Sequence, residues 1–213
     1  MVTPLQGERI NWLMGVAYNC LPISWQAKQR LINFIYQRFG RLFKDTIDYQ
    51  RWLQEEGFFR QYRSASQPPK TKGALTELVS SIRLERSPDP LVSILVPTYG
   101  KVNYTAHCLK SIEDSKPRVP YEVIVVDDAC PDAELALLDQ VEGITVVKNE
   151  TNLGFIRSCN KAADGASGRF LLFLNNDTHV LNNWLESMVE LFEAKPDAGI
   201  VGSKLIYPDG RLQ

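Results

Sequence analysis

The chain has 213 residues, 44% of them hydrophobic and 23% charged, with a formal net charge of −1. That is enough for one full domain plus an appendage, and a near-neutral balance gives no global field that would favour nucleic acid, so no nucleic-acid partner is expected. The four cysteines, Cys20, Cys108, Cys130 and Cys159, are scattered without C-x-x-C spacing, so neither disulfides nor a structural metal is expected. No apolar run approaches the roughly 20 residues of a spanning helix, and the N-terminus lacks the order of a signal peptide, so the chain is expected to stay in the cytosol.

From about residue 7 to 63 the apolar positions repeat at helical spacing. Projecting Gln26 to Lys44 as a helix puts Leu31, Ile32, Phe34, Ile35, Tyr36, Phe39, Leu42 and Phe43 on one broad arc, with Arg30, Asn33, Gln37, Gly40, Arg41 and Lys44 opposite. Between Ser24 and Lys44 stand five basic residues and no acidic one. Two readings follow: the arc packs on a neighbouring helix or domain, or residues 24–44 lie on an anionic membrane surface. A second helical piece, "DYQRWLQEEGFFRQYR", begins at Asp48, and "SASQPPKTKG" then breaks the pattern as a linker. A short helix near Ala74 to Arg86 leads to "SPDP", and the rhythm changes. The expected organisation is a helical region over 1–66, a linker with a short helix over 67–90, and a second domain over 91–213.

In that second domain short apolar runs alternate with amphipathic segments. Strands are expected at "LVSILVP", "YEVIVVDD", "GITVVKN", "RFLLFLNND" and "GIVGSKLIY", and helices at "NYTAHCLKSIED", "DAELALLDQ", "FIRSCNKAADGA" and "NNWLESMVELFEA". Repeated βα units with nearly continuous apolar strands imply an α/β fold, a Rossmann-like and mainly parallel sheet with helices on both faces. Ligands of such sheets bind at the carboxyl ends of the strands. Three polar clusters fall there: Thr98 with Tyr99, Asp127 with Asp128, and Asn175 to Asp177.

The chemistry of these clusters narrows the function. "PTYGKVNYT" after the first strand has one glycine, so it carries neither the G-x-G-x-x-G dinucleotide turn nor a phosphate-cradling P-loop. What remains is a tyrosine able to stack on a flat ring, a carboxylate pair able to accept hydrogen bonds, and Asp177 beside an amide carbonyl. That last pair suits Mg²⁺, which takes one or two protein carboxylates and fills its shell with substrate phosphate oxygens. Arg157, on a helix start after the "NLG" turn, either neutralises a diphosphate or is a surface arginine. His107 and His179 lack partners at metal or triad spacing and read as structural.

"VSILVPTYGKVNYTAHCLKSI", "YEVIVVDDACPD", "NLGFIRSCNKAADGASGRFLLFLNNDT" and "GSKLIYPDGRLQ", in this order, resemble the successive blocks of the family 2 glycosyltransferases with the GT-A fold, from about residue 91 to the end. The resemblance implies a nucleotide pocket of Pro97, Thr98, Tyr99, Asp127, Asp128, Gly154, Arg157 and Asn176, with Asp128 reaching the base and Asp127 supporting it. It implies a metal, Mg²⁺ or Mn²⁺, on Asp177, with Asn176 where many relatives have a first aspartate. "VDDACPD" departs from the family by placing Ala129 and Cys130 where a Gly-Ser pair is usual.

The implied reaction is inverting transfer from a nucleotide diphosphate sugar to a glycan or lipid-linked acceptor, in surface polysaccharide synthesis. "KLIYPDGRLQ" leans to the rhamnosyltransferase-like branch, hence a uridine or thymidine diphosphate donor. The helical N-terminal region resembles segments that precede such domains in large multi-domain bacterial enzymes. The chain thus reads as an N-terminal fragment of one, with the GT-A domain incomplete at its C-terminus and the general base expected beyond Gln213. The alternative is a fragment that binds nucleotide sugar without turnover. The expected location is the cytoplasm, at the inner face of the cell membrane.

Overall fold

The computed structural model describes residues 22, 25–44, 46, 49, 52–53, 68–207 and 213. The helices expected before Trp25, most of the piece beginning at Asp48, the first residues of the linker, and "PDGRL" near the end lie outside the described residues. Two units are distinguished, with the main boundary between positions 65 and 66.

In the first unit, helix α1 spans Trp25–Phe39 and runs into a 3₁₀ turn, Gly40–Leu42. Its buried side is aromatic. Tyr36 packs edge-on against Phe43, Tyr49 and Trp52 at 5.2, 5.3 and 5.4 Å between ring centres, and Trp52 Nε1 donates to Asn33 Oδ1 at 2.9 Å. Gly40 is buried because the Tyr49 ring occupies the space a Cβ would need. The single apolar arc expected from the sequence is therefore split. Asn33 and Gly40, projected onto the polar face, turn inward with Tyr36 and Phe43, while Leu31, Phe34, Phe39 and Leu42 stay exposed. The cause is composition: a ring needs a flat, small-residue floor, and Gly40 supplies it where Leu31 or Phe34 could not.

In the second unit, α2 spans Lys72–Ser81, capped by Thr71 Oγ1 accepting from Ala74 N at 3.3 Å. Four strands follow, β1 Val92–Thr98, β2 Tyr121–Asp127, β3 Ile144–Lys148 and β4 Phe170–Phe173. Between them lie α3 Val102–Ser115, a 3₁₀ segment Ala133–Gln140, and α4 Phe155–Asp164; α5 Trp184–Ala194 comes last. The sheet is parallel throughout, in the order β3-β2-β1-β4.

Central strands β1 and β2 are buried on both sides, which is why they read as unbroken apolar runs. On one face Ile94, Val96, Val123 and Val125 meet Leu109 and Ile112 of α3, Leu75 and Val79 of α2, and Leu185 and Val189 of α5. On the other, Leu95, Ile124 and Val126 meet Ala162 of α4. Helices thus cover both faces, as the βα rhythm implies. The segment read as a linker carries its short helix, and that helix is packed into this core through Leu75, Val79 and Ile82.

Two expected elements differ. "DAELALLDQ" forms a 3₁₀ segment rather than an α-helix, with Asp132 capping Glu134 N at 3.0 Å. "GIVGSKLIY" forms no strand: β4 is the edge strand among the described residues, and Ile200 is 92% exposed. An apolar, β-branched stretch becomes a strand only where a neighbour accepts its hydrogen bonds. On the α4 side of β4, Leu171 and Phe173 are also exposed, since α4 lies over β1 and β2.

Candidate functional site

The sheet has a switch point at β1, with β2 on one side and β4 on the other, and the carboxyl edge there is where α/β sheets open a crevice. Register puts Thr98 directly beside Asp127, and Leu174 N–H donates to Leu95 O at 2.9 Å, so the residues leaving β1, β2 and β4 emerge on one rim. Gly100 and Lys101, at φ 75° and 53°, then turn the chain from β1 into α3.

Two buried networks hold the rim. In the first, Thr98 and Thr105 are both fully buried with hydroxyls 3.0 Å apart. Asn176 Nδ2 donates to both, at 3.1 and 3.0 Å, and Thr98 Oγ1 donates to Gly100 O at 3.4 Å. Two more contacts tie the same loop to α3: Cys108 Sγ to Asn175 O at 3.7 Å, and Val180 N to Ser111 Oγ at 3.1 Å. Positions 105, 108 and 111 recur every three residues down one face of the helix. The Cys108 thiol is pushed up to about 12 by burial and by the charge of Asp177, against a bond from the Thr178 backbone.

In the second network Asp128 is 5% exposed. Its Oδ1 accepts from Leu153 N at 2.7 Å and Asn149 Nδ2 at 2.9 Å, and its Oδ2 accepts from Gly154 N at 2.9 Å. Asn149 Nδ2 also donates to Ser158 Oγ at 2.9 Å. Burial pushes the Asp128 carboxyl up, but these donors, with Ser158, outweigh it and hold the group below the usual carboxylate range. Gly154 caps α4 at φ 78° and ψ 163°, a conformation open to glycine alone.

The remaining candidates are open. Tyr99 is 57% exposed, and Pro97 is half-buried beside Val126. Asp127 accepts from Cys130 N at 2.9 Å through Oδ1 and leaves Oδ2 without a partner among the described residues. Arg157, in the first turn of α4, is exposed and forms no ion pair among the described residues. Asp177 is exposed and likewise makes no hydrogen bond or ion pair there. Cys108, Cys130 and Cys159 are free thiols, and Cys130 is the half-exposed one, 3.8 Å from where a Cβ on Gly100 would stand.

His107 and His179 lie with ring centres 5.1 Å apart. Burial and then His107 lower the His179 pKa to about 4, against Asp114, so His179 adds no positive charge to the loop of Asp177 at neutral pH. Glu186 is committed elsewhere, its Oε1 accepting from Arg118 N at 2.6 Å ahead of β2.

The donor set fits a hard divalent cation of the Mg²⁺ or Mn²⁺ kind. Among the described residues no three His, Cys, Asp or Glu gather into a closed metal cage. One free carboxylate, Asp177, instead stands beside an amide whose N–H groups are both engaged, which leaves its carbonyl oxygen as the available atom. That is the open oxygen-donor arrangement such a cation completes with phosphates.

Thr105, Ser111, Asn149 and Ser158 escaped the sequence reading. The signal for the first two was a row of small residues at three-residue spacing, Thr105, Cys108 and Ser111, on an otherwise apolar helix face, and for the last two a polar pair flanking the "NLG" turn.

The family described as Glycosyl transferase family 2 matches residues 93–213, more than half of the chain. The chain belongs to glycosyl transferase family 2. Among curated relatives, the O-antigen biosynthesis protein RfbC of Myxococcus xanthus is 36% identical over 132 residues, 58% of this chain and 10% of RfbC. The poly(ribitol-phosphate) beta-glucosyltransferase of Bacillus spizizenii is 30% identical over 151 residues, 56% of this chain and 24% of the relative. The chain spans half or less of the length of the first curated relatives it matches. Among solved structures, the mannosyltransferase PcManGT of Pyrobaculum calidifontis, in complex with GDP-Man and Mn²⁺, aligns with a TM-score of 0.47 at 22% identity, over 63% of this chain and 42% of that one. The family 2 region begins within β1, so the rim of Thr98, Asp127 and Asp177 lies inside it.

Proposed function

We propose that this family 2 chain carries the donor half of an inverting glycosyltransferase of surface polysaccharide synthesis, using a uridine or thymidine diphosphate sugar and a glycan or lipid-linked acceptor. The carrying observation is the division at the rim: the buried groups, Asn149 Oδ1 excepted, are hydrogen-bonded to one another, while Tyr99, Asp127 Oδ2, Arg157 and Asp177 stand open on the same edge. Tyr99 stacks on the base, beside Pro97 and Thr98. The base contact falls to Asp127, because Asp128 has both oxygens engaged in shaping the 153–154 turn; this exchanges the roles that the resemblance suggests. Gly154 presents the first turn of α4, and Arg157 with its free N–H groups receives the diphosphate.

Asp177 and the Asn176 carbonyl would hold the Mg²⁺ or Mn²⁺, whose chemistry when bound is to neutralise charge building on the leaving diphosphate. The names of the relatives, an O-antigen biosynthesis protein and a poly(ribitol-phosphate) glucosyltransferase, support the polysaccharide assignment. Calorimetry of the full chain with Mn²⁺ and uridine, thymidine and guanosine diphosphates tests the reading. Metal-dependent binding of a uridine or thymidine diphosphate is expected, and a folded protein that binds none of the three overturns it.

A second reading, binding without turnover, rests on the roles just proposed: with Asp127 and Asp177 given to the donor and both oxygens of Asp128 hydrogen-bonded, no carboxylate among those three is left to serve as the general base. Single-turnover sugar transfer by this chain refutes that reading. In the domain organisation proposed, 91–213 is the donor half, 67–90 joins it to the helical region 1–66, and residues 24–44 place the enzyme at the inner face of the cell membrane. Among the described residues no helix is long and apolar enough to cross a membrane. Exposed Leu31, Phe34 and Leu42 beside Arg30, Arg38 and Arg41 support a surface contact. Flotation with anionic but not zwitterionic vesicles is expected, and absence of both leaves a neighbouring domain as the partner.

A further inference from the structure

The amide of Asn176 has two orientations of nearly equal shape, and its hydrogen-bond partners decide between them. With Nδ2 facing inward, every proton has an acceptor: two go from Nδ2 to Thr98 and Thr105, one from the Thr105 hydroxyl to Thr98, and one from the Thr98 hydroxyl to Gly100 O. With Oδ1 facing inward, both hydroxyls would turn to it, and the bonds between the hydroxyls and to Gly100 O would be lost. Four bonds against two, in a site where Thr98 and Thr105 are 2% and 0% exposed, fixes the amide. A planar amide then carries Oδ1 on the side away from the hydroxyl pair, next in sequence to the free carboxylate of Asp177.

We propose that Thr105, acting with Thr98, is a positioning residue that locks the Asn176 amide so that its carbonyl oxygen is the neutral partner of Asp177 in holding a divalent cation. The inference rests on the cation role given above to Asp177. It has a consequence that simple packing would not have. A carboxylate has two equivalent oxygens and no wrong way round, so a chain with aspartate at 176 no longer needs the lock. Thr105 should matter in the Asn176 background and cease to matter in Asn176→Asp.

Four full-length variants test this: Thr105→Val, which keeps the shape and removes the hydroxyl, Thr105→Ser, Asn176→Asp, and Thr105→Val combined with Asn176→Asp. Urea unfolding confirms that each is folded. The first readout needs no ligand: the side-chain NH₂ protons of Asn176 should exchange slowly with solvent in wild type and Thr105→Ser, and rapidly in Thr105→Val. The second is Mn²⁺ affinity in the presence of uridine or thymidine diphosphate. Thr105→Val should weaken it about tenfold, as loss of an orienting partner does at metal sites, with Thr105→Ser within about threefold of wild type.

Asn176→Asp should bind at least as tightly as wild type, and adding Thr105→Val to it should cost less than about threefold. Equal losses from Thr105→Val in both backgrounds, or fast exchange of the Asn176 amide in wild type, overturn the proposal. If the wild-type amide is locked but the protein binds no Mn²⁺, the ligand role fails through the functional reading instead. That outcome is distinct because it shows in wild type and not in the variants.

Discussion

Asp128→Asn is the substitution that separates the two adjacent aspartates most sharply. The carboxylate it replaces accepts three N–H donors, from Asn149, Leu153 and Gly154 of the loop between β3 and α4, at 2.7 to 2.9 Å and is nearly fully buried. Asparagine keeps one acceptor oxygen, which can still serve Leu153 N and Asn149, but it sets an NH₂ against the Gly154 N–H. One charge-assisted bond is lost and the surviving bonds lose their charge, while the Gly154 N–H keeps its second acceptor, Asn152 Oδ1 at 3.0 Å; at about 1.5–3 kcal/mol for a bond to a charged group, the total is about 1.5–3 kcal/mol. Asp127→Asn, losing charge on a single bond from Cys130 N in a half-exposed place, should cost about 0.5–1 kcal/mol. Urea unfolding of both variants gives the comparison, and amide exchange at Leu153 and Gly154 should quicken only in Asp128→Asn.

Acid adds a second signature. A carboxyl held below its ordinary value of 3.8 stabilises the fold fully above that value and loses the contribution as pH falls through the lower folded value. The gap between wild type and Asp128→Asn should therefore stay constant from neutral pH down to about 4 and close below it. Nucleotide affinity should show the reverse ranking, with Asp127→Asn the more damaging per folded molecule. A stability cost for Asp128→Asn below about 1 kcal/mol, or equal costs for the two variants, refutes the division of labour.

Three further outcomes are expected. Gly154→Ala places a side chain at φ 78° and ψ 163°, which should cost about 1–3 kcal/mol in urea unfolding and weaken nucleotide binding by tilting the start of α4. Asp177→Asn should abolish Mn²⁺-dependent nucleotide binding while changing stability by no more than about 0.5 kcal/mol, because that side chain has no partner among the described residues. With iodoacetamide near pH 8, mass spectrometry should find Cys130 modified well before Cys108 and Cys159, since Cys130 alone of the three is half-exposed and burial pushes the Cys108 thiol up to about 12.

How much of this was legible depended on how many constraints each residue answered to. Val92 to Val96 and Val123 to Val126 answer to burial on two faces, so their strands stand out in the sequence without help. Ile200 and Leu205 have the same composition, but their state depends on a neighbour that composition does not encode, and the expected strand is absent. In α1 the projection located a helix and the inward Tyr36 and Phe43 but not Asn33 and Gly40 beside them, because a hydrophobicity count gives Gly40 and Asn33 no credit for the ring and indole N–H they receive. At the site, Asp127, Asp128 and Asp177 were visible as charges ending apolar runs. Thr105 and Asn149 were not, because a buried hydroxyl or amide earns its place through its partners, here as far as 71 and 21 residues away in the chain.

The two networks share a rule that also accounts for the amide at 176. Buried positions at the rim are held by neutral donors and acceptors, and the one buried charge, Asp128, has three donors aimed at it. A lone ion in such a place would be costly, whereas an exposed one is not. Asn176 is half-buried and adjacent to the free carboxylate of Asp177. An aspartate there would bring two like charges together before any cation arrived, raising the pKa of one of them and weakening the fold. The amide avoids that repulsion but introduces a wrong orientation, and the Thr98 and Thr105 hydroxyls remove it. Asn176→Asp should therefore tighten cation binding and destabilise the metal-free protein at once, and the destabilisation should vanish when Mn²⁺ is added. A variant as stable as wild type without metal would mean that charge repulsion has no part in the choice of asparagine.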